Sequence, residues 1–170
     1  PELRRATKTI PRFIVTPMVA KHRFFQFFPS GYVPDQKLVV FASDDAFLLG
    51  CLSSRLHLVW ALELGSLLED RPTYSHSTCF LKFPFPLVAN QQCDEIRKLA
   101  EELDAHRKRA QTKHGLTLTS LYNVLEKLRT NESLDADEKL IHELGLVSVL
   151  KHLHDDLDAA VFAAYRWPAT

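Results

Sequence analysis

The chain has little cysteine and little glycine, and it carries no net charge. Its 170 residues include three cysteines and five glycines, and its 21 basic residues balance its 21 acidic ones. Cys51, Cys79 and Cys93 are odd in number and form no CxxC pair, so we expect neither a disulfide scaffold nor a cysteine zinc site. The same usage favours a reducing, cytoplasmic location.

Glycine-rich loops and long apolar runs are also missing. The glycines are scattered, so no loop of the kind that cradles a nucleotide or S-adenosylmethionine is present. The most apolar stretch, residues 46–64, is interrupted by Arg55, His57 and Glu63, and we therefore expect no membrane span. No apolar run follows the first residues, so we expect no signal peptide. The chain also starts without Met, so we expect it to be a piece of a longer protein.

Recognisable catalytic motifs are missing as well. The chain has no Gly-x-Ser-x-Gly elbow, no Asn/Asp-Pro-Pro-aromatic motif of an amino-methyltransferase, and no carboxylate set suited to a metal-dependent nuclease. His152, Asp155 and Asp156 have a metal-compatible spacing on one helix face, but we interpret them as a solvated polar face opposite a leucine stripe. We expect no catalytic residue and no metal site in this chain.

Basic residues are concentrated at the N-terminal end. Residues 1–37 contain seven Lys and Arg against two Asp and Glu, an excess of seven minus two, or five positive charges. Such an excess attracts phosphates, although it also fits a solvated basic surface. The composition, 46% apolar and 25% charged, is that of an ordinary globular protein.

The first half of the chain mixes strand and helix patterns. Four short runs rich in β-branched and aromatic residues predict strands: residues 12–16, 22–28, 37–42 and 78–83. Between the third and fourth runs, Ser43 as N-cap and apolar residues at three- and four-residue steps predict one long helix over 44–64. Gly65 is expected to end it, and residues 66–77 to form an irregular or extended polar loop.

The second half reads as helix only. Apolar spacing predicts helices over 90–111 and 117–129. Residues 134–165 are predicted to form a helical pair, or one helix that is broken near Gly145. The predicted fold is therefore α+β, with a small mixed β region and one long helix, followed by an all-helical C-terminal region. We place the boundary between residues 1–86 and 87–170.

Two segments have the composition of a DNA-binding surface. If residues 69–78 are extended, Glu69, Arg71, Thr73 and Ser75 point to one side; Arg can read guanine, and Glu can accept from cytosine. The remaining candidates for contacts to bases or phosphates are His76, Lys82 and the basic-aromatic patch Lys21, His22 and Arg23. An ordinary polar loop and an edge strand with an aromatic inner face are the alternatives.

Several stretches in order along the chain resemble the C-terminal part of MmeI-like Type II restriction–modification enzymes and related adenine-specific DNA methyltransferases. They are residues 12–24, Ala42–Asp45, Gly50–His57 with Trp60, Tyr74–Pro86, Leu118–Asn123, and Leu157–Tyr165 with Trp167 and Pro168. The arrangement is also similar to the specificity subunits of Type I systems, where a recognition domain precedes a helical spacer.

The resemblance implies a role in reading DNA. Residues 1–86 would be the end of a target-recognition domain and 87–170 a helical domain. The loop after the long helix would place Glu69, Arg71 and Thr73 against the bases. His57 and Trp60, which sit in an apolar context, would be structural.

The same resemblance implies which partners act beyond this chain. Double-stranded DNA and a methyltransferase domain of the same parent chain would be the partners. S-adenosylmethionine would bind outside this chain, and an adenine would be positioned there for N6 methylation. The alternative is a helical scaffold that docks a partner subunit through residues 146–164, without touching DNA.

Overall fold

The computed structural model describes residues 2–69 and 71–166, apart from the side chains of residues 2 and 4. A short helix α1 (Glu2–Lys8) precedes three antiparallel strands, β1 (Arg12–Pro17), β2 (Gln26–Pro29) and β3 (Leu38–Phe41). The strand order is β2-β1-β3. The central strand β1 is buried over four consecutive residues, as expected for a short β-branched run covered on both faces.

The second predicted strand is shorter than expected. Only residues 26–29 of this region pair with β1, whereas strand character was predicted from residue 22. The backbone before residue 26 lies outside the ladder. The side chains of His22 and Arg23 contact groups on other elements of the fold.

The predicted single helix over 44–64 is two helices, α2 (Ala46–Ser53) and α3 (Arg55–Leu64), bent by 63°. The break lies at Ser54, whose hydroxyl donates to the Cys51 carbonyl at 2.7 Å and accepts from the His57 N–H at 3.4 Å. Serine thereby ends one helix and caps the next. The N-cap of α2 is Asp45, not Ser43 as predicted.

A short hairpin and a π-helical turn follow α3. Strands β4 (Leu67–Leu68) and β5 (Arg71–Pro72) pair antiparallel, and residues His76–Phe80 form one π-helical turn. The strand predicted over 78–83 is therefore wrong. Burial overrides its β propensity: the turn puts Cys79 against the core and stacks the Phe80 ring on His76, with the ring centroids 5.1 Å apart.

The C-terminal half consists of helices α4 (Asn90–His114), α5 (Leu118–Thr130), α6 (Ala136–Leu144) and α7 (Val147–Ala164). Gly115 ends α4 with a φ of 65°, a left-handed conformation that glycine adopts without steric cost. The predicted break near Gly145 separates α6 from α7. The α+β architecture with a helical C-terminal region is confirmed.

The chain has two hydrophobic clusters that meet at α4. The sheet-side cluster includes Phe25, Phe27 and Leu49 and also takes Ala100 from α4. The helical cluster is formed by buried residues of α4, α5 and α7, among them Leu103, Leu121, Leu150 and Leu157. One long helix therefore contributes to the packing of both halves.

The approach of α2 to α4 is close because α2 has a glycine at the contact. A Cβ atom on Gly50 would lie 2.5 Å from Ile96 Cγ2, which is shorter than any ordinary carbon–carbon contact. Gly50 thus sets the distance between the sheet-side elements and the helical region.

Among the described residues no single helix is long and apolar enough to cross a membrane. The bent pair α2–α3 passes on length and composition only, and most of α2 is buried inside the chain.

Candidate nucleic-acid interface

The β4–β5 hairpin carries two of the predicted base-reading residues. Leu67 pairs with Pro72 and Leu68 with Arg71, so the chain reverses direction between the two strands, with Glu69 in a turn. Glu69 in that turn has a φ of 58°, a left-handed conformation found in tight turns. Its side chain and that of Arg71 are exposed. The hairpin tip therefore presents a carboxylate and a guanidinium at the surface.

The predicted alternation holds for only part of this segment. The backbone is extended at β5 and again at Ser75, whose φ and ψ are −116° and 132°. Between them Tyr74 points inward, with 2% of its surface exposed. Thr73 and Ser75 flank Tyr74 and are only half-buried. Glu69 does not share this extended run, because it lies in the turn.

Backbone hydrogen bonds hold the segment after β5 from both sides. On one side, the Thr73 N–H donates to the Ser66 carbonyl at 2.8 Å. On the other, the Tyr74 N–H donates to the Met18 carbonyl at 2.7 Å, and Val19 forms a β-bridge with Thr73. The hairpin is thus the outer part of a small three-stranded arrangement, which fixes its direction.

The start of the hairpin comes very close to the extended segment at its base. A Cβ atom on Gly65 would lie 2.6 Å from the Ala61 carbonyl oxygen and 2.7 Å from the Thr73 carbonyl oxygen. Both are backbone atoms, so no side-chain rotation can relieve the contact. Glycine is required here for close approach, since its φ of −73° is open to any residue.

Gly65→Ala should therefore displace the hairpin and lower the free energy of unfolding by roughly 1 to 3 kcal/mol, the usual cost of overpacking. Urea unfolding measures the loss, and amide hydrogen exchange at Thr73 and Tyr74 locates it. Gly31→Ala is the matched control, because a Cβ there has no neighbour within 4 Å. Equal stability of the two variants would contradict this account of the hairpin base.

Arg23 anchors the hairpin from beneath. Its guanidinium donates to the carbonyl oxygens of Pro17 and Pro72, the latter at 3.0 Å, and to the Thr16 hydroxyl at 3.1 Å. The group also lies over the Tyr74 ring, 5.3 Å from its centroid, as in a cation–π contact. Burial lowers the pKa of Arg23 to about 10, so the side chain is charged at neutral pH. Arg23 is directed to the protein backbone and not outward as the sequence patch implied.

A buried aromatic group supports this anchor. The Tyr74 hydroxyl lies 2.9 Å from His57 Nε2, and the Phe25 ring packs edge-on against both rings at 5.4 and 5.6 Å. Burial lowers the pKa of His57 to about 3, so His57 is neutral at physiological pH. Its complete burial agrees with the structural role predicted from its apolar helical context.

Lys21 and His22 line a cleft to which Pro72 of the hairpin also contributes. Lys21 Nζ donates to Asn123 Oδ1 at 2.9 Å, and His22 Nε2 lies 2.7 Å from the same oxygen. Lys21 also lies 3.6 Å from a Glu126 carboxylate oxygen. Both predicted residues are therefore brought together, and both are tied to α5.

The remaining candidates follow the hairpin. The Ser75 hydroxyl lies 2.9 Å from that of Ser77, while His76 opens the π-helical turn and Lys82 is exposed just beyond it. Thr73 is half-buried, and its hydroxyl donates to the Ser66 carbonyl at 2.8 Å. Thr73 thus holds the hairpin closed, whereas His76 and Lys82 face solvent.

Sequence reasoning did not assign two residues that shape this surface. Asn123 accepts from both Lys21 and His22, across about a hundred residues of chain, and Tyr74 supplies the ring on which Arg23 rests. Both belong to stretches that carry the family resemblance, which was the available signal. Their partners could not be read from spacing, because the contacts are long-range.

No group of three or more His, Cys, Asp or Glu side chains within residues 2–69 and 71–166 is arranged to hold a metal ion. His152 and Asp155 instead make local contacts, His152 to the Ser148 carbonyl and Asp155 to Lys151.

Comparison with known proteins places this surface in a family. Residues 4–87 match the family described as the MmeI target recognition domain. DNA methyltransferase A of Bacillus subtilis (strain 168) is 28% identical over 159 residues, which is 90% of this chain and 15% of that protein. The chain thus spans a small part of the length of this relative.

A solved structure shares the fold. The Type IIL restriction–modification enzyme MmeI, solved in complex with DNA, superposes with a TM-score of 0.65 at 20% identity, covering 94% of this chain and 19% of that one. The residues 4–87 matched by the family model include the three-stranded sheet, α2, α3 and the hairpin. With this family match, the chain contains an MmeI-like target recognition domain.

Proposed function

We propose that this chain reads DNA sequence for a restriction–modification methyltransferase, with the β4–β5 hairpin as the reading element. One observation carries the proposal: within the family-matched region, the hairpin presents Glu69 and Arg71 at an exposed tip, while its base is fixed on both sides and from below. A site that must discriminate between bases needs such a rigid support.

The chemistry of the tip suits base edges. The major groove is about 12 Å wide and admits a two-stranded ribbon. There an arginine can donate two hydrogen bonds to guanine O6 and N7, and a glutamate can accept from the cytosine amino group. Arg71 and Glu69 supply these two groups at the exposed tip of the hairpin. Thr73, whose hydroxyl is engaged with Ser66, maintains the hairpin geometry.

The surrounding polar residues suit the sugar–phosphate backbone. Lys21, His22, His76 and Lys82 are exposed or half-exposed around the hairpin, and the half-buried Ser75 follows it. Such residues position a protein on the duplex without selecting its sequence. In this arrangement Arg23 contributes through the hairpin that it anchors and not through a phosphate.

The parent enzyme would supply the chemistry. The names of the relatives support a methyltransferase domain in the same polypeptide. We propose that this domain binds S-adenosylmethionine and methylates an adenine at N6. This chain would position that adenine by fixing the register of the duplex. Its own residues would not touch the transferred methyl group.

The scaffold alternative has less surface available to it. Much of the apolar stripe on 146–164 packs within the chain, with Leu150, Leu157 and Val161 fully buried in the helical cluster. Only Leu146 and Val149 of this stripe remain substantially exposed. The stripe therefore stabilises this fold more than it offers a docking face.

Arg71→Ala should reduce discrimination at one base pair by about 1 to 3 kcal/mol, because it removes one bidentate contact. The measurement is selection of bound sequences from a random duplex pool, followed by salt titrations on the best and on mutated sites. Lys82→Ala is the control for a phosphate contact, which should weaken all sequences alike and lower the salt slope by about one.

Two results would contradict the proposal. One is a wild-type chain that shows no salt-dependent duplex binding even at low ionic strength. The other is an Arg71→Ala variant that weakens every sequence equally, as Lys82→Ala should, because Arg71 would then contact phosphate and not bases.

A further inference from the structure

A cleft separates the hairpin from helix α5. The cleft has a volume of about 300 Å³. Residues of α3 and α5, Pro72 of β5 and residues 21–23 after β1 line it. Leu62 and Leu125 contribute apolar surface, while Lys21 and Arg129 stand at its edge. We call this the α5 cleft.

Positive charge predominates in the α5 cleft. Lys21, Arg23 and Arg129 line it, and Glu126 is the one acidic residue among the lining residues. The ion pairs that these cations make are long and exposed: Lys21 to Glu126 at 3.6 Å, and Arg129 to Asp155 at 3.8 Å. Exposed pairs of this kind contribute little, so an incoming anion can compete for both cations.

A buried cation beneath the cleft adds to this field. Arg107 is 1% exposed, and its guanidinium donates to the Phe25 carbonyl at 2.8 Å and to the Tyr122 hydroxyl. Among the described residues no carboxylate forms an ion pair with it, since the nearby Asp104 pairs with Lys108 at 2.6 Å. The guanidinium is thus held by hydrogen bonds and not by a contacting carboxylate, and a charge in a buried setting is screened less than one at the surface.

This cation is directed at the floor of the cleft. Arg107 Nη2 lies 3.5 Å from His154 Nε2, and the Tyr122 hydroxyl lies 2.8 Å from the same nitrogen. Tyr122 and His154 both line the cleft. The burial of His154 lowers its pKa well below the usual value, so His154 adds no charge at neutral pH and Arg107 is the buried source of positive potential.

We infer that the α5 cleft binds a phosphate group, held by Lys21 and Arg129, and that its natural source is a DNA backbone phosphate beside the hairpin. Pro72 lines the cleft and is adjacent in sequence to Arg71, so a strand read by the hairpin passes this opening. The identification of DNA as the source rests on the proposed function, whereas the phosphate chemistry does not. The helical region would thus contribute Arg129 to the DNA interface.

The test compares Arg129→Gln with Lys139→Gln, which removes one exposed positive charge from α6, away from the cleft. Duplex affinity of Arg129→Gln should fall about three- to tenfold near 50 mM salt, with a salt slope lower by about one. Lys139→Gln should bind as the wild type does. Lys21→Gln should repeat the loss, and circular dichroism and thermal unfolding should show all three variants folded.

Titration of the wild-type chain with inorganic pyrophosphate, followed by amide chemical shifts, separates the phosphate site from the DNA source. Shifts confined to the Lys21, Asn123 and Arg129 region, without duplex binding, would keep the phosphate site and reject both its DNA source and the proposed function. Duplex binding that Arg129→Gln leaves unchanged, without such shifts, would overturn this inference alone. Absence of both binding and shifts would overturn it together with the proposed function.

Discussion

Arg107→Ala is expected to lower the free energy of unfolding by about 3 kcal/mol or more. The substitution opens a cavity between α4 and α5 and leaves the buried Phe25 carbonyl without its donor, which alone costs about 1 to 3 kcal/mol. The Tyr122 hydroxyl keeps His154 as a partner. Denaturant unfolding followed by tryptophan fluorescence and circular dichroism measures the change.

Arg107→Met separates the two contributions. Methionine fills most of the space of the arginine stem and removes a buried charge that has no carboxylate partner, and such replacements are often neutral. We expect Arg107→Met to be clearly more stable than Arg107→Ala. If the two variants are equally destabilised, the hydrogen bonds and not the cavity account for the loss.

Acid is expected to destabilise the protein well before its carboxylates titrate. Burial lowers the pKa of His57 to about 3 and that of His154 well below its usual value. Below pH 6.5 the unfolded chain therefore takes up protons that the folded chain does not. The contribution of the two neutral histidines to the free energy of unfolding is complete above pH 6.5. It is lost as pH falls, by up to about 1.4 kcal/mol per pH unit for each histidine.

The carboxylates act in a lower range. The hydrogen bond from Arg97 lowers the pKa of Asp45, and the hydrogen bond from Arg12 lowers that of Glu101, so their contributions are lost as pH falls below about 4.5. Asp158 acts in the opposite direction, because burial raises its pKa. The loss between pH 6.5 and 5 is therefore attributed to the histidines.

Urea unfolding at several pH values between 7.5 and 5 tests this attribution. His154→Gln should flatten the pH dependence, whereas His152→Gln, on an exposed position of the same helix, should leave it unchanged. A His154→Gln variant with the slope of the wild type would show that His154 is not the group responsible.

Local patterns were sufficient for most of the helical region. The apolar spacing along α4, α5 and α7 predicts these helices and their approximate bounds, because the buried face of an amphipathic helix carries apolar residues every three to four positions. Gly145 marked the break between α6 and α7, and β-branched runs marked β1 and β3. These signals depend on near neighbours in the chain.

The errors arose where distant contacts decide the local structure. Ser54 divides the predicted long helix because its hydroxyl can serve both helices only when they bend. The π-helical turn at His76–Phe80 is favoured by burial of Cys79 and stacking of Phe80. No window of sequence contains the partners that fix these choices.

The candidate surface was predicted in composition but not in arrangement. Exposure of Glu69 and Arg71 at a hairpin tip suits the function assigned to them from the sequence. The inward course of Arg23 depends on Pro72, 49 residues away in the chain, and the pairing of Lys21 depends on Asn123, 102 residues away. A basic patch therefore identifies a surface without saying which of its members hold the scaffold.

The shared helix α4 has a consequence for how such a chain can be recombined. Gly50 packs against Ile96 and Ala100, and Arg12 pairs with Glu101, so the elements that carry the hairpin rest on one face of a helix whose other face belongs to the helical cluster. A recombination point between two relatives at residue 87 would pack the hairpin-bearing elements of one protein against the α4 helix of the other. These two packing surfaces would not be matched to each other. Transplanting the hairpin with its orientation intact means transplanting α4 as well, so under the proposed function a change of DNA specificity would require exchange of a segment longer than the hairpin.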